Sequence, residues 1–164
     1  MIEVRQVGAV DREAWNRYVD QSPYAIAWQV YEWSEVVGRH YDYQFLPLAA
    51  FEGGRIVGVL PLYIGEGGSG RALISVPFAV AGGIVGDSQA VHLALVERAI
   101  EVSRQEGGLP ITLKQYKVRM PGDLRTDENY FNRELSLQRD LNAVRQQVSP
   151  ENLTRAEQAR QLGL

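Results

Sequence analysis

His40 and His92 are the only histidines in the chain, and there is no cysteine. Those two residue types supply most general bases, activated nucleophiles and metal ligands, so the store of obvious chemistry is small. The lack of cysteine removes disulfides, thiolate nucleophiles and thiolate zinc sites together. His40 falls near a predicted helix end, where the dipole favours a surface imidazole, and His92 falls in a predicted exposed first turn. Neither has a partner at triad or metal spacing. Asp123, Asp127 and Glu128 crowd one loop but match no calcium-loop pattern. Glu32 and Glu35 share a predicted helix face and read as solvated carboxylates. No catalytic residue, metal ligand or cofactor is assigned on these grounds.

Glycine-rich segments offer backbone chemistry instead. Gly67-Gly68-Ser69-Gly70 precedes a predicted strand, whereas a phosphate cradle needs amides aimed from a helix start. It reads as a turn. Gly82-Gly83-Ile84-Val85-Gly86-Asp87-Ser88 does precede a predicted helix and is the better anion candidate, against the plain reading that glycines let the chain cross a strand end. Aromatic residues are the other resource. Trp28, Tyr31, Trp33, Tyr41, Tyr43 and Phe45 crowd one stretch of sequence. Most are expected in the core, with one or two free to floor a ligand groove.

These residues need elements to hold them. Ile2 and Val4 alternate with polar neighbours and predict an opening strand. Asp11 is placed to cap a helix whose apolar face is Ala14, Trp15, Tyr18 and Val19, ended by Ser22-Pro23. A second helix is predicted over Trp28 to His40. Two apolar runs, Phe45 to Phe51 and Ile56 to Ile64, flank Gly53-Gly54, which predicts a two-residue hairpin with positive φ. Pro47 and Pro61 give no ladder hydrogen bond and are expected at an open edge or a bulge. A third strand covers Arg71 to Val76. Asp87 or Ser88 caps a helix running to about Glu106, with Val91, Leu95, Ala99 and Val102 on one stripe, widened by Leu93, Val96 and Ile100. Gly107-Gly108 stops it, and Leu109 to Leu113 predicts a short strand. Beyond a polar loop from Met120 to Asn129 come a strand over Tyr130 to Leu137, a helix from Asp140, and another opened by Ser149-Pro150.

A chain of 164 residues is one ordinary domain, and 17 basic against 20 acidic side chains leave a net charge of -3. No basic block marks a nucleic-acid face. No apolar run is long enough to span a membrane, and no signal peptide is evident. A cytoplasmic location is expected.

Taken in order, Ser22-Pro23-Tyr24-Ala25 through Trp33, Gly54 to Leu62, Ser75-Val76-Pro77-Phe78 and Gly82-Gly83 resemble the N-terminal domain of the Fem-type (FemAB-related) aminoacyltransferases. The tail from Leu153 to Leu164 is similar to the basic helix that ends with Gly-Leu in that family, although Glu157 and Gln158 dilute its charge. The resemblance implies an α/β (α+β) fold of the GNAT kind, a mixed, largely antiparallel central sheet with helices on both faces. It implies residues 1–138 as the GNAT-like domain, and 139–164 as a helical extension leading to a second domain absent from this chain. It further implies transfer of an acyl or aminoacyl group to an amine of a peptidoglycan or exopolysaccharide precursor, a cell-envelope partner, with this domain contributing the precursor groove. The acyl donor would be aminoacyl-tRNA, through the second domain, or acyl-CoA. The expected groove residues are Trp33, Tyr63, Phe78, Gly82 and Gly83. Two rival readings are a non-catalytic binding or assembly module and a stand-alone acetyl-CoA-dependent N-acetyltransferase. The C-terminal apolar stripes of Leu141, Val144, Val148, Leu153, Ala156 and Leu162 predict a homodimer.

Overall fold

Gly53 and Gly54 take φ of 57° and 79°, the paired left-handed conformation that a tight hairpin turn requires. They reverse the chain between β2 (Gln44–Glu52) and β3 (Arg55–Gly67), the longest strands of the sheet. The computed structural model describes residues 1–67, 70–115, 120, 124–127 and 137–163. The expected acidic loop at Asp123 and Glu128 and most of the strand over Tyr130 to Leu137 lie outside the described residues, as does Gly68-Ser69.

Contacts divide the chain into two units, Met1–Arg125 and Thr126–Leu164. In the first, β1 (Glu3–Gln6), β2, β3, β4 (Gly70–Ser75) and β6 (Ile111–Thr112) lie side by side in that order, and β5 (Val85–Gly86) pairs with β3. Among the described residues only β4 and β6 run parallel; the other pairs are antiparallel. The two faces follow from the two-residue strand period. Leu46, Leu48, Leu60, Leu62 and Ile64 pack with Val91, Leu95 and Ala99 of α3 (Gln89–Gln105). Ala49 and Val59 pack with Trp15 and Val19 of α1 (Arg12–Gln21). The sheet is mixed but largely antiparallel, with helices on both faces, as the resemblance implies.

Several details depart from expectation. Asp11 makes no cap bond to α1; its carboxylate accepts from Gly8 N at 3.1 Å and from Arg5 instead. The second helix is shorter than predicted. Ala27–Gln29 is one 3-10 turn and α2 runs only from Trp33 to His40. Val30 between them is extended, with ψ 146°. Pro47 and Pro61 sit within interior strands, directly opposite each other. That is a position where neither residue donates across the β2–β3 ladder. Their carbonyls point outward and accept from Val7 N at 3.0 Å and Val76 N at 3.2 Å, just where the flanking ladders end. Leu93 is exposed and leaves the α3 stripe, while Ser88 is the cap, accepting from Val91 N at 3.3 Å.

The second unit holds α4 (Leu141–Gln147) and α5 (Pro150–Gln161), begun by Asp140 and Ser149, whose side chains accept from Asn142 N and Asn152 N. Neither helix has a buried residue, and Leu141, Leu153 and Leu162 are exposed.

Candidate functional site

Between β4 and α3 the chain leaves the sheet at Val76 and returns at Val85. Val76 takes φ 43° and Phe78 takes φ 64°. A β-branched residue there is a real outlier, and such strain persists only where the surroundings impose it. The surroundings are visible. Lys114, just past β6, donates from its amide to the fully buried Ser75 Oγ at 2.8 Å, and its Nζ donates to Ala79 O at 2.9 Å and Val76 O at 3.3 Å. Burial holds the Lys114 ammonium below its ordinary pKa. Gly82 N and Gly83 N both donate to Lys114 O, at 3.0 and 2.9 Å. Ile84 N donates to Gln115 Oε1 and Gln115 Nε2 donates to Ile84 O, each at 2.9 Å.

The loop is tied from the α1 face as well. Gln29, only 2% exposed, donates from Nε2 to Gly83 O at 2.7 Å and accepts from Ile26 N at 3.0 Å. Trp15, wholly buried, donates from its indole to Gln29 O at 2.7 Å. Three successive amides of the glycine loop, at residues 82–84, are thus spent on the protein itself. Sequence reasoning missed Gln29, Ser75, Lys114 and Gln115. Each acts across 31 to 54 residues, and no local pattern announces such partners. The strained Val76-Pro77-Phe78 corner is the one local sign of an abrupt turn.

The five expected groove residues fall into separate settings. Tyr63 is buried in β3, its ring 4.8 Å from Phe45, which meets Tyr31 and Trp15 edge-on. Burial raises the Tyr63 pKa, so its phenol keeps its proton. Trp33 opens α2 and packs against half-exposed Trp28 at 4.9 Å. Its Nε1 is buried without a hydrogen-bond partner among the described residues. Phe78 is 59% exposed and stacks on Tyr41 at 4.2 Å, with Tyr43 edge-on at 5.7 Å. Gly82 and Gly83 share its loop. The structure therefore joins Phe78, Gly82 and Gly83 and adds Tyr41 and Tyr43, while no ring contact joins Trp33 or Tyr63 to them.

His92 is not in an exposed turn. It is 6% exposed, and burial lowers its pKa. A separate open groove of about 830 Å³ runs along α1 beside the hairpin, lined among others by Arg17, Tyr24, Phe51, Arg55 and Asp87. Tyr18 closes one side of it, donating to Asp87 Oδ1 at 2.7 Å and lying 2.9 Å from Val57 O. Desolvation first, and the Asp87 carboxylate second, push the Tyr18 pKa well up.

The antiparallel meander, the parallel β6 and the strand-to-helix loop between them form a GNAT-like fold that is shared with solved acetyltransferases. A predicted acetyltransferase from Clostridium acetobutylicum, solved with acetyl-CoA, superposes with a TM-score of 0.54 at 12% identity, covering 82% of this chain and 97% of that one. The ribosomal-protein-alanine N-acetyltransferase of Brucella melitensis biovar Abortus 2308 gives 0.53 at 14% identity over 80% and 99%. An aminoglycoside acetyltransferase from an uncultured soil metagenomic sample gives 0.51 at 18% identity over 83% and 99%. No protein-family model matches the sequence, and no curated protein matches it. At these identities the likeness is one of fold. Among the described residues no helix is long and apolar enough to cross a membrane.

Proposed function

We propose that this chain is an acyl-transfer domain of the Fem type, cytoplasmic, that holds a peptidoglycan or exopolysaccharide precursor while an amine of that precursor receives an acyl or aminoacyl group. The observation that carries this reading is the use of the loop amides at Gly82, Gly83 and Ile84 by Lys114 O and Gln115 Oε1. Amides so engaged are not free to receive a phosphate within the glycine loop itself. The exposed pair of Phe78, in the same loop, and Tyr41 supplies an apolar surface for the acceptor. Under this reading residues 1–138 are the acceptor-binding domain, and 139–164 lead towards the part that brings aminoacyl-tRNA or another donor. A second copy of the chain covers Leu141, Leu153 and Leu162, which predicts a dimer in light scattering; a strict monomer at tens of micromolar removes that element.

A stand-alone acetyl-CoA enzyme is the competing reading, favoured by the match over nearly the full length of an acetyltransferase solved with acetyl-CoA. Calorimetry with acetyl-CoA separates the two. The Fem-type reading expects no binding at ordinary cofactor affinity, and micromolar binding, about -8 kcal/mol, would overturn it. An acyl-transfer assay on a cell-envelope precursor supplies the positive arm. Phe78→Ala is the cleanest probe there, because the ring is exposed and its loss should lower transfer far more than stability. Full transfer by a folded Phe78→Ala variant removes Phe78 from the site.

A further inference from the structure

We propose that the groove between α1 and the β2–β3 hairpin is a binding site for a small ligand carrying several anionic oxygens, a phosphate ester or a polycarboxylate, gripped by Arg17 and Arg55. The groove shares no lining residue with the loop at 76–84, and the inference does not depend on the acyl-transfer reading. Its volume of about 830 Å³ suits a small molecule rather than a chain.

The charges facing it are unevenly engaged. Arg5 grips Asp11 with two nitrogens, at 2.9 and 3.2 Å, and lies 4.2 Å over the Phe51 ring. Asp11 also accepts from Gly8 N, and Asp87 accepts from the Tyr18 hydroxyl. Glu52 stands opposite Arg55 in the hairpin register, yet its carboxylate lies 3.7 Å from the N-terminal ammonium. Among the described residues, Arg17 and Arg55 have neither an ion pair nor a side-chain hydrogen bond, and both are exposed. The carboxylates of the groove are satisfied and two guanidiniums are not, in a chain whose net charge is -3. A guanidinium offers a planar fork of donors matched to phosphate and carboxylate oxygens. Exposed Tyr24, with Phe51 and Ile56, adds an apolar wall for the rest of the ligand.

The test is an NMR titration of the intact chain with pyrophosphate, citrate and chloride at matched ionic strength. Pyrophosphate or citrate should shift the Arg17 and Arg55 side-chain signals and the Gly54 and Gly86 amides to saturation, whereas chloride should not. Tighter binding of pyrophosphate identifies a phosphate ligand, and tighter binding of citrate a carboxylate one. Arg17→Gln and Arg55→Gln should each weaken binding by about tenfold, the loss expected for one charge-assisted contact. Arg39→Gln, outside the groove, should leave it unchanged. Shifts that fail to saturate, or that weaken equally in Arg39→Gln, reduce the effect to charge screening and overturn the site.

Discussion

At Gly53-Gly54 the backbone takes φ of 57° and 79°, and a Cβ built on either residue meets nothing within 4 Å. At Gly82-Gly83 the reasons for glycine are different. Gly82 combines φ 139° with a Cβ direction that runs into Val76 at 2.6 Å, while Gly83 has no unusual φ and lacks room for a Cβ because Gln115 fills it. One pair is required by conformation and the other chiefly by closeness. Two glycine pairs that look the same in sequence therefore report different things, a local turn and a long-range seam.

The seam should be the more costly to disturb. Gly82→Ala adds a strained backbone, costing about 1–3 kcal/mol, to an overlap with Val76 of similar size. A loss of about 3 kcal/mol or more is expected in urea unfolding. Pairing it with Val76→Gly sharpens the point: because Cγ2 and Cβ of Val76 are both what a Cβ at position 82 would meet, the double variant should be more stable than the sum of the singles predicts. Additive losses would mean that the collision is not what makes Gly82 necessary.

Next in size is the tie from the other face. Gln29→Leu leaves the buried Gly83 O and the half-buried Ile26 N without their partners. Each buried group left unpaired costs about 1–3 kcal/mol, so a loss near 2 kcal/mol or above is expected. The Gly83 region should also exchange its amide hydrogens faster. Unchanged protection at residues 82–84 would show that Gln29 does not hold the loop.

At the open pair the cost is conformational only. Gly53→Val and Gly54→Val should each destabilise by about 1 kcal/mol or a little more, since a β-branched side chain opposes φ > 0. Because the turn is local, protection at residues 82–84 should not change. An undisturbed melting curve for both variants would count against the turn.

What could be read from sequence follows the same division. The hairpin, α1, α3 and the strand period were legible because each is decided by residues a few positions apart. Gly53-Gly54 sits between two apolar runs, and Val91, Leu95 and Ala99 repeat at helical spacing. The break between the 3-10 turn at Ala27–Gln29 and α2 was not legible. It is imposed by Trp15 and Gly83, which hold Gln29 at both ends. The interior placement of Pro47 and Pro61 was hidden for a similar reason, since it depends on where β1 and β4 stop. Of the expected groove residues, Phe78, Gly82 and Gly83 lie in one loop; Lys114 and Gln115, which tie that loop, could not be foreseen, because their role exists only once β6 lies beside β4.

The smallest effect expected concerns a third glycine of that stretch. Gly86 is crowded by His92, whose Cδ2 would lie 2.7 Å from a Cβ there. The imidazole is buried, and desolvation lowers its pKa below the ordinary 6.5. The sign of the pH effect follows. Below pH 6.5 the unfolded chain takes up a proton that the native chain still refuses, so the unfolded state gains on acidification. Stability from this residue is therefore complete above about pH 6.5 and declines from there down to the lowered native value. The slope cannot exceed about 1.4 kcal/mol per pH unit for one proton. Urea midpoints of the native protein and His92→Gln between pH 7.5 and 5 provide the check. The native protein should lose stability faster than the variant as pH falls. Parallel curves would show that His92 titrates alike in both states and that closeness to Gly86 does not keep it dry.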